Sequence, residues 1–307
     1  MAVKIRNKKY SIMKSVRHQY ENWPFPGTDF RSREWLLLLR QIGKIINSNN
    51  KQAARFADIG CGTGHTVLAL ARIFTGTQFW GIDISRNSIR QAKGLASDNQ
   101  IENVTFRNIN IITDRLLHLG KFRVVYCAGV LHHIENLDKA FARVATLVEP
   151  GGYLILWLYG RYGRARHRLN QKFLKTLASG LSPSKTLELA HEFAVQFKDR
   201  LAADGGFYTP RGSGLDGVRW LLDHPHWLAD QMIPGFENAF DLGDIFRLLD
   251  NNGLVFHNWL GVSDSITGYT SSKLIEKRFA ILNRRDRLLA IEYLIKPDYY
   301  FIVARRA

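Results

Sequence analysis

The sequence predicts an α/β protein built on a doubly wound, mostly parallel seven-stranded sheet, with a mainly helical insertion after strand five. Three observations carry that prediction. Short apolar strand-like runs alternate with helical runs from Arg55 to Leu158, the pattern of a parallel sheet covered on both faces. One strand ends in an acid and turns through three alternating glycines into a helix, at Asp58-Ile59-Gly60-Cys61-Gly62-Thr63-Gly64-His65. The alternation stops after Tyr159 and resumes at Asp241, which sets the intervening stretch apart.

Taken in order, residues 1–30 join a basic start to Gln19-Tyr20-Glu21-Asn22-Trp23-Pro24-Phe25-Pro26-Gly27. Two prolines and a glycine forbid regular structure there, and the aromatics want burial, so the segment is expected to lie across the domain. Trp35 to Ile46 has helical apolar spacing and ends at a polar break, Asn47-Ser48-Asn49-Asn50. Strand one is Arg55 to Asp58, followed by a helix from His65 to Ile73. Strand two is Gln78 to Asp83, followed by a helix from Arg86 to Ser97 with Ser85 as its N-cap. Strand three is Val104 to Arg107 and strand four Arg123 to Ala128. A helix from Asn136 to Val148, a turn at Glu149-Pro150-Gly151-Gly152 and strand five from Tyr153 to Leu158 complete this part.

Residues 160–236 read as the insertion. A basic connector leads to a helix near Leu169 to Leu177 and a second near Thr186 to Leu201, with Ser182-Pro183 supplying an N-cap and a first-turn proline. A glycine-rich loop (Asp204 to Gly217) and an aromatic and histidine stretch (Trp220 to Trp227) follow. Asp241 then caps a helix ending at Asn252-Gly253, before the strand Leu254 to Trp259, a helical region from Leu274 to Leu294 and a last strand from Tyr299 to Ala304. The chain therefore divides into an N-terminal tail and lid segment (1–50), a core (51–159), the mainly helical insertion (160–236) and a C-terminal completion of the sheet (237–307).

Composition bounds the function. A chain of 307 residues buries a full core. Its longest apolar runs, Leu36 to Leu39 and Tyr153 to Tyr159, fall far short of the ~20 residues a membrane span needs. The basic start lacks an apolar run behind it, so no secretory signal is expected. Two cysteines, Cys61 and Cys127, suggest a reducing compartment and a cytoplasmic location, with neither a disulfide framework nor a metal cluster. The net charge of +16 favours anionic partners and leaves nucleic acid open. That charge is nonetheless spread over the tail, over Arg161, Arg164, Arg166 and Arg168, and over Lys277 to Arg287, which also suits a merely basic surface.

The loop at Asp58 to Gly64 is a ligand cradle, because glycine accepts positive φ and lets backbone approach a ligand. A dinucleotide loop reads Gly-x-Gly-x-x-Gly and holds a pyrophosphate. Here His65 takes the sixth position, and the Asp58 carboxylate at the loop's mouth would repel a phosphate. An acid ending strand two, Asp83, can accept both hydroxyls of a ribose, although an N-cap role for it competes with Ser85.

These motifs, with Gly81-Ile82-Asp83-Ile84-Ser85, Val130-Leu131-His132-His133 and Glu149-Pro150-Gly151-Gly152 in the same order, resemble the class I S-adenosylmethionine-dependent methyltransferases. The likeness is greatest to the branch holding quinone-biosynthesis and other small-molecule enzymes. The resemblance covers roughly Arg55 to Leu158 and the last strands, and implies S-adenosylmethionine as cofactor. It implies that Asp58 helps hold the amino-acid end and that Gly60, Cys61, Gly62 and Gly64 pass close to the adenosyl part. It further implies that Asp83 binds the ribose, that Ile84 packs on the adenine, that Asn110 beside Ile111 meets the adenine amino group, and that Ala128 borders the methionine end. Asn108 and Asp114 stand near enough to Asn110 to compete for that register.

Methyl transfer to a phenol-like nucleophile needs a general base, and histidine is the natural candidate near neutral pH. His133, then His132, are the candidate catalytic residues, unless both imidazoles brace their loop. Tyr20, Trp23 and Tyr159 are candidate acceptor contacts, with Phe25, Tyr162, Tyr208, Trp220, His224, His226 and Trp227 in support. The His224 to His226 pair has no nearby acid except Asp223 and Asp230, a thin set for a metal site, and no metal is expected. Three readings follow: a methyltransferase for a small or medium-sized acceptor, one acting on RNA or protein through its basic surface, and a catalytically inactive cofactor-binding subunit.

Overall fold

The computed structural model describes residues 33–47 and 54–307. The proposed contacts Tyr20, Trp23 and Phe25 lie outside the described residues. Helix α1 (Arg33–Asn47) buries Trp35, Leu38, Ile42 and Ile45, a stripe at helical spacing. Strands β1 (Arg55–Ile59), β2 (Gln78–Asp83), β3 (Val104–Asn108) and β4 (Phe122–Ala128) alternate with α2 (His65–Ile73), α3 (Arg86–Asp98) and, after β4, α4 (Leu137–Ala145). The long β5 (Val148–Tyr159) leads into the insertion helices α5 (Ala165–Leu177), α6 (Pro183–Gln196), α7 (Lys198–Asp204), α8 (Leu215–Asp223) and α9 (Pro225–Met232). Then come α10 (Leu242–Asp250), β6 (Leu254–Trp259), α11 (Lys273–Ala280), α12 (Arg284–Ile295) and β7 (Tyr299–Arg306).

The seven strands form one sheet in the order β3-β2-β1-β4-β5-β7-β6. β1 to β5 run parallel, and β7 is antiparallel to both β5 and β6. Strand order reverses between β1 and β4, which opens a crevice at the carboxyl ends of the strands where ligands of open α/β sheets bind. Alternation along β4 shows why both faces are dry. Val125 and Cys127 enter one apolar cluster, Val124 and Tyr126 the opposite one, as a period of two requires.

The helix starts anticipated at Ser85, Ser182 and Asp241 are in place: each side chain accepts a backbone N–H of its first turn. Several boundaries differ. The helix expected from Asn136 to Val148 stops at Ala145, because Val148 already pairs with Phe122 as the start of β5. Glu149 to Gly152 is an irregularity within β5, with Gly151 at φ 71, rather than a free turn. The helix expected over Thr186 to Leu201 is two helices, since Phe197 leaves helical geometry at φ −114 and ψ 26. The stretch Trp220 to Trp227 is helical on both sides of His224, with Pro225 opening α9 where its missing N–H costs nothing.

The insertion has its own apolar cluster, including Leu174, Phe193, Leu201, Phe207, Leu221, Trp227 and Met232. Tyr208 packs on this cluster and also on the sheet cluster that contains Trp157. The chain leaves β5 and returns to it at one neck: the Phe240 N–H donates to the Tyr159 carbonyl at 2.9 Å, and the Arg161 N–H to the Phe240 carbonyl at 2.7 Å. That neck sets the insertion directly over the carboxyl end of β5.

Candidate active site

The glycine loop closes β1 onto α2. Gly60, Gly62 and Gly64 all have positive φ, at 76, 53 and 82. A side chain at Gly60 would overlap the Val130 side chain, and one at Gly64 would stand 2.9 Å from both Ala92 Cβ and Phe106 Cζ. Internal packing therefore demands glycine at these two positions whatever ligand enters. The Gly62 N–H donates to Asp83 Oδ2 at 2.9 Å and the Ser85 N–H to Asp83 Oδ1 at 2.8 Å. Asp83 thus ties the loop to the end of β2, and Ser85 takes the N-cap, accepting from the Ser88 N–H at 3.1 Å. Asn108 holds the next turn by donating to the Asp83 and Ile84 carbonyls at 3.0 and 2.8 Å.

A cavity of about 300 Å³ runs from this loop to the insertion. Its near part is lined by Asp58, Gly60, Cys61, Gly62, Asp83, Ile84, Asn110, Ile111 and Ala128, so nine of the ten residues expected at the cofactor share one wall. Gly64 is the exception and packs on Phe106 behind it. Asn110 Oδ1 accepts the Ile112 N–H at 2.9 Å, a turn that sets the loop after β3. Trp35 and Leu38 of α1 also line the cavity. Their apolar periodicity marks a buried helix stripe but nothing in it marks a ligand wall.

The far part is built by His132, His133, Trp157, Tyr159, Tyr208, Trp227, Asp230 and Gln231. His132 and His133 sit in a short helical turn, Leu131–His133, directly after β4. His133 Nδ1 lies 2.8 Å from the Phe236 carbonyl, which accepts a hydrogen bond from the Nδ1–H, and Nε2 stands 3.8 Å from Asp230 Oδ1. The His132 ring stacks on Tyr159 with centroids 3.9 Å apart, and among the described residues neither of its nitrogens has a hydrogen-bond partner. Tyr159 OH accepts from Gln231 Nε2 at 2.6 Å and approaches Asp230 Oδ2 at 3.4 Å. Gln231 also donates to Asp230 Oδ2 at 2.7 Å.

Arg164 stands behind this wall, although the sequence places it in a basic connector. It is fully buried and its Nη2 meets Glu237 Oε2 at 2.9 Å. A buried charge persists only when paired in this way. Asp230, Gln231 and Arg164 are the functional candidates the sequence reading missed; a lone acid, amide or arginine among helices carries no spacing signal. Conversely, Tyr162 packs on Tyr293 and His224 stacks on Trp220, and neither lines the cavity. Among the described residues no group of three His, Cys, Asp or Glu is set to hold a metal.

Burial, and then the Asp83 charge, push the Asp58 carboxyl up to about 8. An acid so placed is held protonated near neutrality and gains by meeting a cation. The same burial, with Asp83 and Asp58 nearby, pushes the Cys61 thiol far up, and Cys127 rises as well. Neither is a thiolate nucleophile. Burial, His133 and Arg164 drive His132 well below the ordinary histidine range, so its imidazole is neutral. The donor set of a buried acid, a strand-end acid tied to a glycine loop, and an apolar slot fits an adenosyl ligand carrying positive charge.

The fold is that of the class I S-adenosylmethionine-dependent methyltransferases, and a methyltransferase domain with S-adenosylmethionine as its cofactor forms part of this chain. A family model described as a methyltransferase domain matches residues 50–188. An uncharacterised protein of Synechococcus is 26% identical over 94% of this chain and 70% of its own. A ubiquinone biosynthesis O-methyltransferase of Burkholderia cenocepacia is 24% identical over 89% of this chain and 90% of its own. The solved structure of PKMT2 from Rickettsia typhi shares the fold, with a TM-score of 0.69 and 20% identity over 92% of this chain. This chain spans 54% of the length of that protein, which has also been solved in complex with AdoHcy. Among the described residues no helix is long and apolar enough to cross a membrane.

Proposed function

We propose that this chain transfers a methyl group by direct displacement to a small or medium-sized acceptor seated against the insertion. One observation carries the reading: a single cavity joins the Asp58 and Asp83 cradle to the Tyr159, His133 and Asp230 wall. S-adenosylmethionine, when bound, supplies a methyl already activated by its sulfonium. What the protein adds is alignment of the two reactants, with water kept out.

In this reading Asp58 holds the ligand's ammonium, Asp83 its ribose hydroxyls, and Ile84, Asn110 and Ile111 border the adenine. His133 is the better candidate for taking a proton. Its Nδ1–H is committed to the Phe236 carbonyl, so the Nε2 lone pair points toward Asp230, and protonation there completes an ion pair. His132, kept neutral by burial, is a poor base and a better hydrogen-bond partner. Titration calorimetry with S-adenosylhomocysteine tests the reading. Binding in the micromolar range is expected, and an absence of binding refutes it. The net charge of +16 sustains the second reading, a nucleic-acid or protein acceptor. A steep fall of bulk-RNA binding with salt would promote it.

A further inference from the structure

The described wall of the cavity carries acids without lysine or arginine, the opposite of the chain's overall balance. Among the described residues no lysine or arginine lines it, whereas Asp58, Asp83, Glu135 and Asp230 do, on a chain of net charge +16. Two of these acids belong to the cofactor end. Asp230 stands at the insertion end and is only 3% exposed. Arg164 is the nearest buried cation there, and it sits behind the Tyr159 ring with its charge matched by Glu237.

Around Asp230 the cavity is aromatic. Trp157 meets Tyr159 and Tyr208 edge to face at 5.2 and 4.9 Å, and Tyr208 lies 6.2 Å from Trp227. Aromatic faces beside a desolvated carboxylate attract a cation and offer an anion nothing. His132 adds an independent sign of a ligand. It lines the cavity, is fully buried, and both ring nitrogens lack hydrogen-bond partners among the described residues. A buried polar group left so costs free energy. A neutral imidazole presents one acceptor nitrogen, which a donor on the ligand would satisfy.

We propose that the insertion end of the cavity is an amine site, and that the methyl acceptor is a nitrogen delivered as an ammonium group. The proposal rests on the methyltransferase reading above and names its acceptor class. Asp230 and the surrounding rings hold the ammonium, and His132 accepts one of its N–H groups. Attack requires a free lone pair, so the ammonium first gives one proton to His133 Nε2, which then pairs with Asp230. The neutral nitrogen attacks the methyl carbon. The N–C bond forms as the S–C bond breaks, the electron pair of the latter stays on sulfur, and the product carries the positive charge on nitrogen. A carboxylate acceptor would instead enter beside Asp230 with no lysine or arginine on the described wall to meet it.

The test uses full-length protein saturated with S-adenosylhomocysteine, and calorimetry with benzylamine, catechol and benzoate as probes near pH 7. Benzylamine is expected to bind at least about tenfold more tightly than either other probe. Asp230→Asn should lose that preference while S-adenosylhomocysteine affinity stays within about twofold, and Asp230→Glu should keep part of the preference. Equal or tighter binding of catechol or benzoate overturns the proposal, as does an Asp230→Asn protein that retains the preference. If neither variant folds, the probe ranking on the unaltered protein decides alone. A second comparison, n-butylamine against a short lysine-containing peptide, separates a small-molecule amine from a lysyl side chain. Failure to bind S-adenosylhomocysteine would sink the methyltransferase reading itself. Binding of it without amine preference would sink only this inference.

Discussion

The Arg164 guanidinium lies 3.5 Å from the centroid of the Tyr159 ring, with neither side chain in contact with bulk water. Arg164 also donates to the Gly206 carbonyl at 2.7 Å and to Gln231 Oε1 at 3.2 Å. The last residue of β5, the loop before α8 and the end of α9 therefore share one buried cation. Arg164→Ala should strand the Glu237 carboxylate in the interior and cost about 3–5 kcal/mol, by analogy with other severed buried pairs. The double change Arg164→Met with Glu237→Met should cost clearly less. Urea unfolding of the two proteins makes the comparison, and equal losses would refute the pairing.

Gly60 is held at φ 76 against Val130. Gly60→Ala introduces both a strained backbone and an overlap, for an expected loss of more than about 2 kcal/mol. Adding Val130→Ala should recover the steric share and leave a residue of about 1–2 kcal/mol from the backbone. Thermal denaturation of the single and double variants reads both terms.

Asp58 offers a pH signature. Its carboxyl, ordinarily near 3.8, is raised to about 8 by burial and by Asp83. A raised acid binds its proton more tightly when folded, so its share of stability is whole below about 3.8 and is lost as pH climbs toward 8. Pairing with an ammonium reverses that preference. Binding of S-adenosylhomocysteine at pH 7 should release up to about one proton, and affinity should rise between pH 6 and about 8. Calorimetry in buffers of differing ionisation enthalpy measures the release. Asp58→Asn should weaken binding and remove it.

Asp83 accepts two backbone N–H groups as well as facing the cavity. Asp83→Ala should weaken S-adenosylhomocysteine by about tenfold to a hundredfold, since charge-assisted hydrogen bonds contribute about 1.5–3 kcal/mol each. Asp83→Asn, which keeps the shape and one acceptor, should fall between. Unchanged affinity for the alanine variant would remove the ribose role.

The grouping of Asp58, the glycine loop and Asp83 on one cavity wall was legible because its pattern is local. An acid, three glycines and a second acid all lie at strand ends, and strand ends are readable from periodicity. The acceptor half was partly illegible for the opposite reason. Asp230 and Gln231 face His133 and Tyr159 only because the chain returns to β5 at Phe240. That meeting depends on tertiary contact across long separations. Arg164 misled for the same cause: four nearby basic residues read as surface, and the interior position of one depends on Glu237, far along the chain. The glycines at 60 and 64 have a second cause that the sequence did not show, the closeness of Val130, Ala92 and Phe106.

The insertion's separate apolar cluster meets the sheet's chiefly through Tyr208. On the proposed reading, with the acceptor seated against the insertion, this makes acceptor choice a nearly detachable trait. Substitutions inside α5 to α9 can reshape the roof over Asp230 while the cradle at Asp58 and Asp83 keeps its packing, so a lineage could exchange acceptors without relearning its cofactor. Val130 has no such freedom. Its side chain braces Gly60 and it opens the turn bearing His132 and His133, so drift at that one position would disturb donor and acceptor together.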